Sequence, residues 1–146
     1  MGDFFMKDEK LLNYIYQNVE MGILSIDELN GKIKDDKFLK LIAKQKSEYC
    51  KIKKHAMKLI KKEKFDLKEV NVLVKVSASF MSMVKINKSK KISHYAKLMI
   101  EGTNMGIIAI TEKINNYDGI VKENIELANK LKQILEKNID DLKKYL

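Results

Sequence analysis

Histidine and glutamate are the side chains with which this chain could hold a metal or move a proton, and they recur at one spacing. Glu48 precedes His55 by seven residues, and His94 precedes Glu101 by seven. Seven residues is two helical turns, ~10 Å along the axis, so neither pair can share one metal from its own helix. The two pairs could meet only if their helices lay parallel and side by side, which would build a mononuclear site. Against that, His94, Lys97, Glu101, Asn104 and Glu112 make up the polar face of their helix, the pattern of solvated side chains. Cys50 is the single cysteine and has no histidine at matched helical spacing, so it reads as a small residue at the core edge. No glycine-rich phosphate loop and no nucleophile with its base and orienter occurs, and the expectation leans against an enzyme.

Lysine is the other candidate. Residues 32–64 hold thirteen lysines against Asp35, Asp36, Glu48 and Glu63, a net of +9; the rest of the chain balances sixteen lysines with sixteen acids. The whole formal charge of the protein therefore sits on one segment. Lys40, Lys44, Lys51, Lys54, Lys58 and Lys62, with Lys37 and Lys61, stand opposite its apolar line and form a candidate anion-binding face. The plainer reading of such a stripe is a solvated surface. No aromatic residues are interleaved for base stacking, and the chain has no arginine for bidentate guanine recognition.

Helices must position these residues. The chain contains no proline, so nothing interrupts a helix by removing a backbone donor. Over residues 8–30, Leu11, Leu12, Ile15, Val19, Gly22, Ile26 and Leu29 recur at three- and four-residue steps, and Asn30-Gly31 predicts a stop with glycine in the left-handed conformation. Asp35 or Asp36 caps a second helix running to about Lys64 along Phe38, Leu41, Ile42, Gln45, Tyr49, Ile52, Ala56 and Leu59. Asp66-Leu67-Lys68-Glu69 has the form of a capping box, and residues 67–86 are expected to be helical although Val72, Val74, Val76, Ala78 and Phe80 alternate as in a strand. A further helix ends near Asn116, along Ile92, Tyr95, Ala96, Met99, Thr103, Gly106, Ile110 and Ile114. The last follows Val121, Ala128, Leu135 and Leu142, widened by Ile125, Leu131 and Ile139.

One domain, residues 1–146, is expected at this length. A single cysteine, no long apolar run and no signal-peptide pattern at the start fit a cytoplasmic protein without membrane insertion. The lysine, isoleucine and asparagine bias fits an AT-rich bacterial genome.

Glu20-Met21-Gly22-Ile23 matches Asn104-Met105-Gly106-Ile107 at a shift of 84, which also lays Ile15 on Met99 and Ile26 on Ile110. A mid-helix glycine costs ~1 kcal/mol against alanine, so one on each core face predicts a close crossing of these two helices. Two similar helical hairpins joined by a long helix resemble the ferritin-like superfamily. The stretch Ser93-His94-Tyr95, with Glu101-Gly102-Thr103-Asn104-Met105-Gly106-Ile107, is also similar to a group of small clostridial proteins. The resemblance implies an all-α antiparallel bundle, two helical hairpins with a crossover helix. In its di-iron members it implies a glutamate from two helices and Glu-x-x-His from the other two. This chain departs from that pattern. Lys51 stands three after Glu48 and Asn129 three after Glu126, the expected first-helix ligand falls near Asn18, and Glu20 lies well off the apolar stripe.

The expectation is therefore a non-enzymatic binding or structural protein on a ferritin-like bundle, with no metal or cofactor. The alternative is an iron- or manganese-binding carboxylate protein drawing on Glu20, Glu48, His55, His94 and Glu101. A third reading is a lysine-rich binder of nucleic acid or an anionic surface. A homodimer formed through residues 67–86 is expected, because that apolar segment is surplus to four helices that can already close a core.

Overall fold

Four helices account for most of residues 2–68, 91–116 and 120–146, which the computed structural model describes: α1 (Gly2–Asn30), α2 (Asp36–Lys62), α3 (Ile92–Asn116) and α4 (Lys122–Lys143). No strand occurs among the described residues. Of residues 67–86, which carry the expectations of a crossover helix and a dimer contact, only Leu67 and Lys68 lie within them.

Each helix forms for local reasons. Asp35 is extended and its Oδ1 accepts the Phe38 N–H at 2.9 Å, which caps α2. α2 ends in a Schellman-type turn in which Phe65 N–H reaches the Ile60 carbonyl at 3.0 Å. The residue that takes the left-handed conformation there is Lys64, at φ 59°. Gly31 does not take it, contrary to expectation: α1 closes instead with Lys32 and Ile33 N–H groups on the Leu29 carbonyl. The N-terminus of α4 has no capping side chain of its own, because Val121 occupies that position. Asp8 of α1 supplies the acceptor: its buried Oδ1 takes the Val121 N–H at 3.2 Å and the Asn124 Nδ2 at 2.7 Å.

Packing follows the apolar lines. α1 lies along α2, and α3 along α4, as two hairpins. Lys46–Asp27 and Lys53–Glu20 contacts show α1 and α2 antiparallel. Asp8 beside Val121 and Phe38 beside Tyr145 (ring centroids 5.0 Å apart) set α4 parallel to α1 and antiparallel to α2. α3 descends past α1, with Gly106 at Asn18 and Lys113 over the Tyr14 ring. The directions are thus up, down, down, up, and α2 and α3 stand at opposite corners.

The core contains Leu11, Leu12, Ile15, Phe38, Ile42, Ile52, Ile110, Leu127, Leu131 and Leu142, all nearly inaccessible. The second helices of the two hairpins bury matching positions at a shift of 86: Phe38 with Asn124, Ile42 with Ala128, Gln45 with Leu131, Tyr49 with Leu135, Ile52 with Asn138 and Ala56 with Leu142. Val121, expected on the apolar line of α4, is exposed; Asn124 takes the buried position.

The glycines expected to mark one close crossing mark two different ones. A Cβ on Gly22 would meet Tyr49 of α2 rather than α3. A Cβ on Gly106 would meet Asn18 of α1, with Leu135 of α4 next. Each glycine nonetheless faces the equivalent residue of its own hairpin, Tyr49 or Leu135, at the shift of 86, so the internal echo extends to packing.

Candidate functional site: a lysine face and a buried polar layer

Glu20 lies against Lys53 of α2, whose ammonium also stands 5.9 Å from the centre of the Tyr16 ring. The Glu20 carboxylate holds the Lys53 ammonium above the ordinary lysine range. Glu48 is half-buried, whereas His55, His94 and Glu101 are exposed. α2 and α3 do run parallel, but from opposite corners, so the Glu48–His55 pair and the His94–Glu101 pair do not come together. Among the described residues no three His, Cys, Asp or Glu side chains are grouped as a metal would require.

Lysines on α2 divide into two sets. Lys46, Lys53 and Lys62 reach carboxylates on Asp27, Glu20 and Glu123. The pairs made by Lys46 and Lys53 join the helices of the first hairpin. Lys62 donates to Glu123 Oε2 at 3.0 Å and joins the hairpins to each other, and that hydrogen bond raises its pKa. Lys62 is therefore paired with a carboxylate of α4, unlike the other lysines of the candidate anion-binding face. Lys40, Lys44, Lys51, Lys54 and Lys58 are exposed and none forms an ion pair with the described residues. Lys37 and Lys61 extend the same exposed line.

A polar layer crosses the core. Gln45 Nε2 reaches the Asn138 carbonyl at 3.5 Å, and Asn138 Nδ2 donates to the Tyr49 hydroxyl at 3.0 Å. The layer ties α2 and α4 together. Burial pushes the Tyr49 pKa up to about 12, against smaller lowering from Asn138 and Thr103. The phenol thus stays protonated at neutral pH and offers no base. Asn138 Oδ1 is buried with no hydrogen-bond partner among the described residues. Neutral amides and a protonated phenol cannot run acid–base chemistry; what they can do is fix the register of the helices, since any slip leaves more buried polar atoms unpaired.

Asn138 was not legible as a core residue, although it lies seven residues from Leu131 on the buried face. Asp8 and Asn13 were missed as well. Asn13 Nδ2 donates to the Asp66 carbonyl at 3.0 Å and its Oδ1 accepts the Lys68 N–H at 2.8 Å, while Gln17 Nε2 reaches the Lys68 carbonyl. Two side-chain amides of α1 therefore hold the chain as it leaves α2. No helix among the described residues is long and apolar enough to cross a membrane. Compared with protein-family models, with curated proteins and with solved structures, the chain matches none of them.

Proposed function

We propose that the chain is a non-enzymatic binding protein built on a ferritin-like bundle, and that the outer face of α2 is where an anionic partner docks. The ferritin-like part is supported by the helix directions: α2 ends and α3 begins at opposite ends of the bundle, so the connection between them has the bundle's length to climb. The binding part rests on one observation. Five exposed lysines of α2, Lys40, Lys44, Lys51, Lys54 and Lys58, have no carboxylate among the described residues, while those at its flanks do. An unneutralised line of ammonium groups raises the local concentration of anions and is relieved by binding them.

The test is retention of the full chain on an immobilised polyanion, with elution by salt. The wild type should be retained, and Lys44→Glu/Lys51→Glu/Lys58→Glu should elute near the salt of the equilibration buffer. Equal elution of the two proteins would remove the reading.

A further inference from the structure

We infer that the partner of this face is the phosphate backbone of duplex nucleic acid, bound without regard to sequence; the inference rests on the anion-docking reading above. The lysines are ordered more closely than their number requires. Lys37, Lys44, Lys51 and Lys58 repeat every seven residues, and Lys40, Lys54 and Lys61 fall on a second seven-residue series whose remaining position is Ser47. Both series lie on exposed positions of one continuous helix. At 1.5 Å per residue the line from Lys37 to Lys61 is ~36 Å long, about one turn of B-form duplex. A straight rod of that length laid along a duplex meets both backbones.

Shape and composition separate this partner from other polyanions. The positive line is one helix wide. Its borders carry carboxylates, Glu48 on α2 itself, Asp27 toward α1 and Glu123 toward α4. A flat anionic bilayer pressed on this flank meets those carboxylates with the lysines, whereas a convex duplex touches the ridge alone. Membrane-surface helices also bury an apolar face in the headgroup boundary, and the apolar face of α2 is already spent on the core. A single strand would want aromatic stacking platforms between the charges, and the lysine line has none. With no arginine in the chain, contact to phosphate rather than to guanine edges is what lysine alone supplies best.

The experiment is fluorescence anisotropy of the full chain with a labelled duplex of about twenty base pairs. Separate arms use the same sequence as a single strand, phosphatidylserine vesicles and polyglutamate. The expected result is duplex binding that is unchanged when the sequence is permuted and that falls with salt, with a slope of log K on log salt of roughly −4.5 to −6.3 for five to seven phosphate contacts. Lys44→Gln/Lys51→Gln/Lys58→Gln should flatten that slope by close to 3, at about 0.9 per lysine. Lys97→Gln/Lys130→Gln/Lys137→Gln removes the same charge from exposed positions on α3 and α4 and should change it by less than one unit, roughly the share of a single contact. Binding to vesicles or polyglutamate without duplex binding overturns the duplex inference and leaves the anion-docking reading standing. Binding to none of the four overturns both. An equal loss in the two triple variants shows that net charge, not this face, is at work, and also overturns the inference.

Discussion

The ring of Tyr49 lies against the bare Cα of Gly22, so close that a methyl group there would stand 2.7 Å from Cε2 and 2.9 Å from Cδ2. The ring cannot swing away, because it is buried and its hydroxyl is held by Asn138. Gly22 is the position at which α1 lets an aromatic side chain of α2 reach the polar layer.

Gly22→Ala should therefore destabilise the protein by about 1–3 kcal/mol, the usual cost of overpacking, despite the better helix propensity of alanine. Gly106→Ala should be close to neutral. Its nearest obstacle is Asn18 Nδ2 at 2.9 Å, the far end of a half-buried side chain that can turn aside at the expense of a 3.3 Å bond to the Tyr14 hydroxyl. Gly102→Ala meets nothing within 4 Å and should stabilise by up to ~1 kcal/mol. Denaturant midpoints of the three variants, ranked in that order, check the packing directly.

Asp8→Ala should cost about 1–3 kcal/mol, because it leaves the buried Asn124 amide unpaired and removes the acceptor of the part-buried Val121 N–H. Asp8→Asn keeps an acceptor oxygen and should recover part of the loss. Urea unfolding of both variants measures the difference. Equal losses would mean that the carboxylate charge at the start of α4, rather than the hydrogen bonds, carries the effect.

Tyr49 predicts an alkaline limit. Its folded pKa, about 12, lies above the ordinary tyrosine value of 10.0 because the ring is buried, so folding favours the protonated phenol. The stability this represents is complete below pH 10 and is lost as pH rises through 12, by roughly 2–3 kcal/mol at ~1.4 kcal/mol per unit. Tyr49→Phe should be less stable at neutral pH, with Asn138 Nδ2 left unpaired, yet should lose less stability between pH 10 and 12 than the wild type. Tyr49→Phe/Asn138→Leu should recover stability over the single variant, because both polar partners go together. Thermal unfolding across that pH range reads all three.

Lys64→Gly should stabilise by about 1 kcal/mol, the cost of holding a residue with a Cβ in the left-handed region. Lys64 makes no ion pair among the described residues, so its side chain offsets little of the gain. A shift of a few degrees upward in the thermal midpoint is the expected reading.

What could be read from the sequence was whatever repeats locally. The α1 line from Leu11 to Leu29 and the α2 line from Phe38 to Leu59 lie on the buried faces because polarity alternates at helical spacing within each segment. The exposed lysines of α2 were legible for the same reason. Long-range partners were not. Asp8 and Val121 are 113 residues apart, and nothing near either one announces the bond. Asn124 and Asn138 lie outside the expected apolar line of α4 and are core, because burial of an amide depends on a partner contributed by another helix. Gly22 signalled a close approach, but a missing side chain cannot say what approaches it.

The order of helix directions has an electrical consequence. Among the described helices, α1 and α2, α2 and α4, α4 and α3, and α3 and α1 run in opposite directions and oppose their peptide dipoles, while the parallel helices α1 and α4 also touch, through Asp8 at the start of α4. Each end of the bundle then carries two amino-terminal and two carboxy-terminal half-charges in alternation, and these nearly cancel a short distance away. The Lys62–Glu123 pair sits on such a junction. The ammonium is in the last turn of α2, the carboxylate is in the first turn of α4, and each complements its own helix while attracting the other. With both ends neutralised in this way, the four helices point no axial field at an approaching anion. Among the described residues, the charge left without an ion-pair partner on α2 points sideways, out of the flank that carries Lys40, Lys44, Lys51, Lys54 and Lys58, and the proposed docking would use a field across the bundle axis rather than along it.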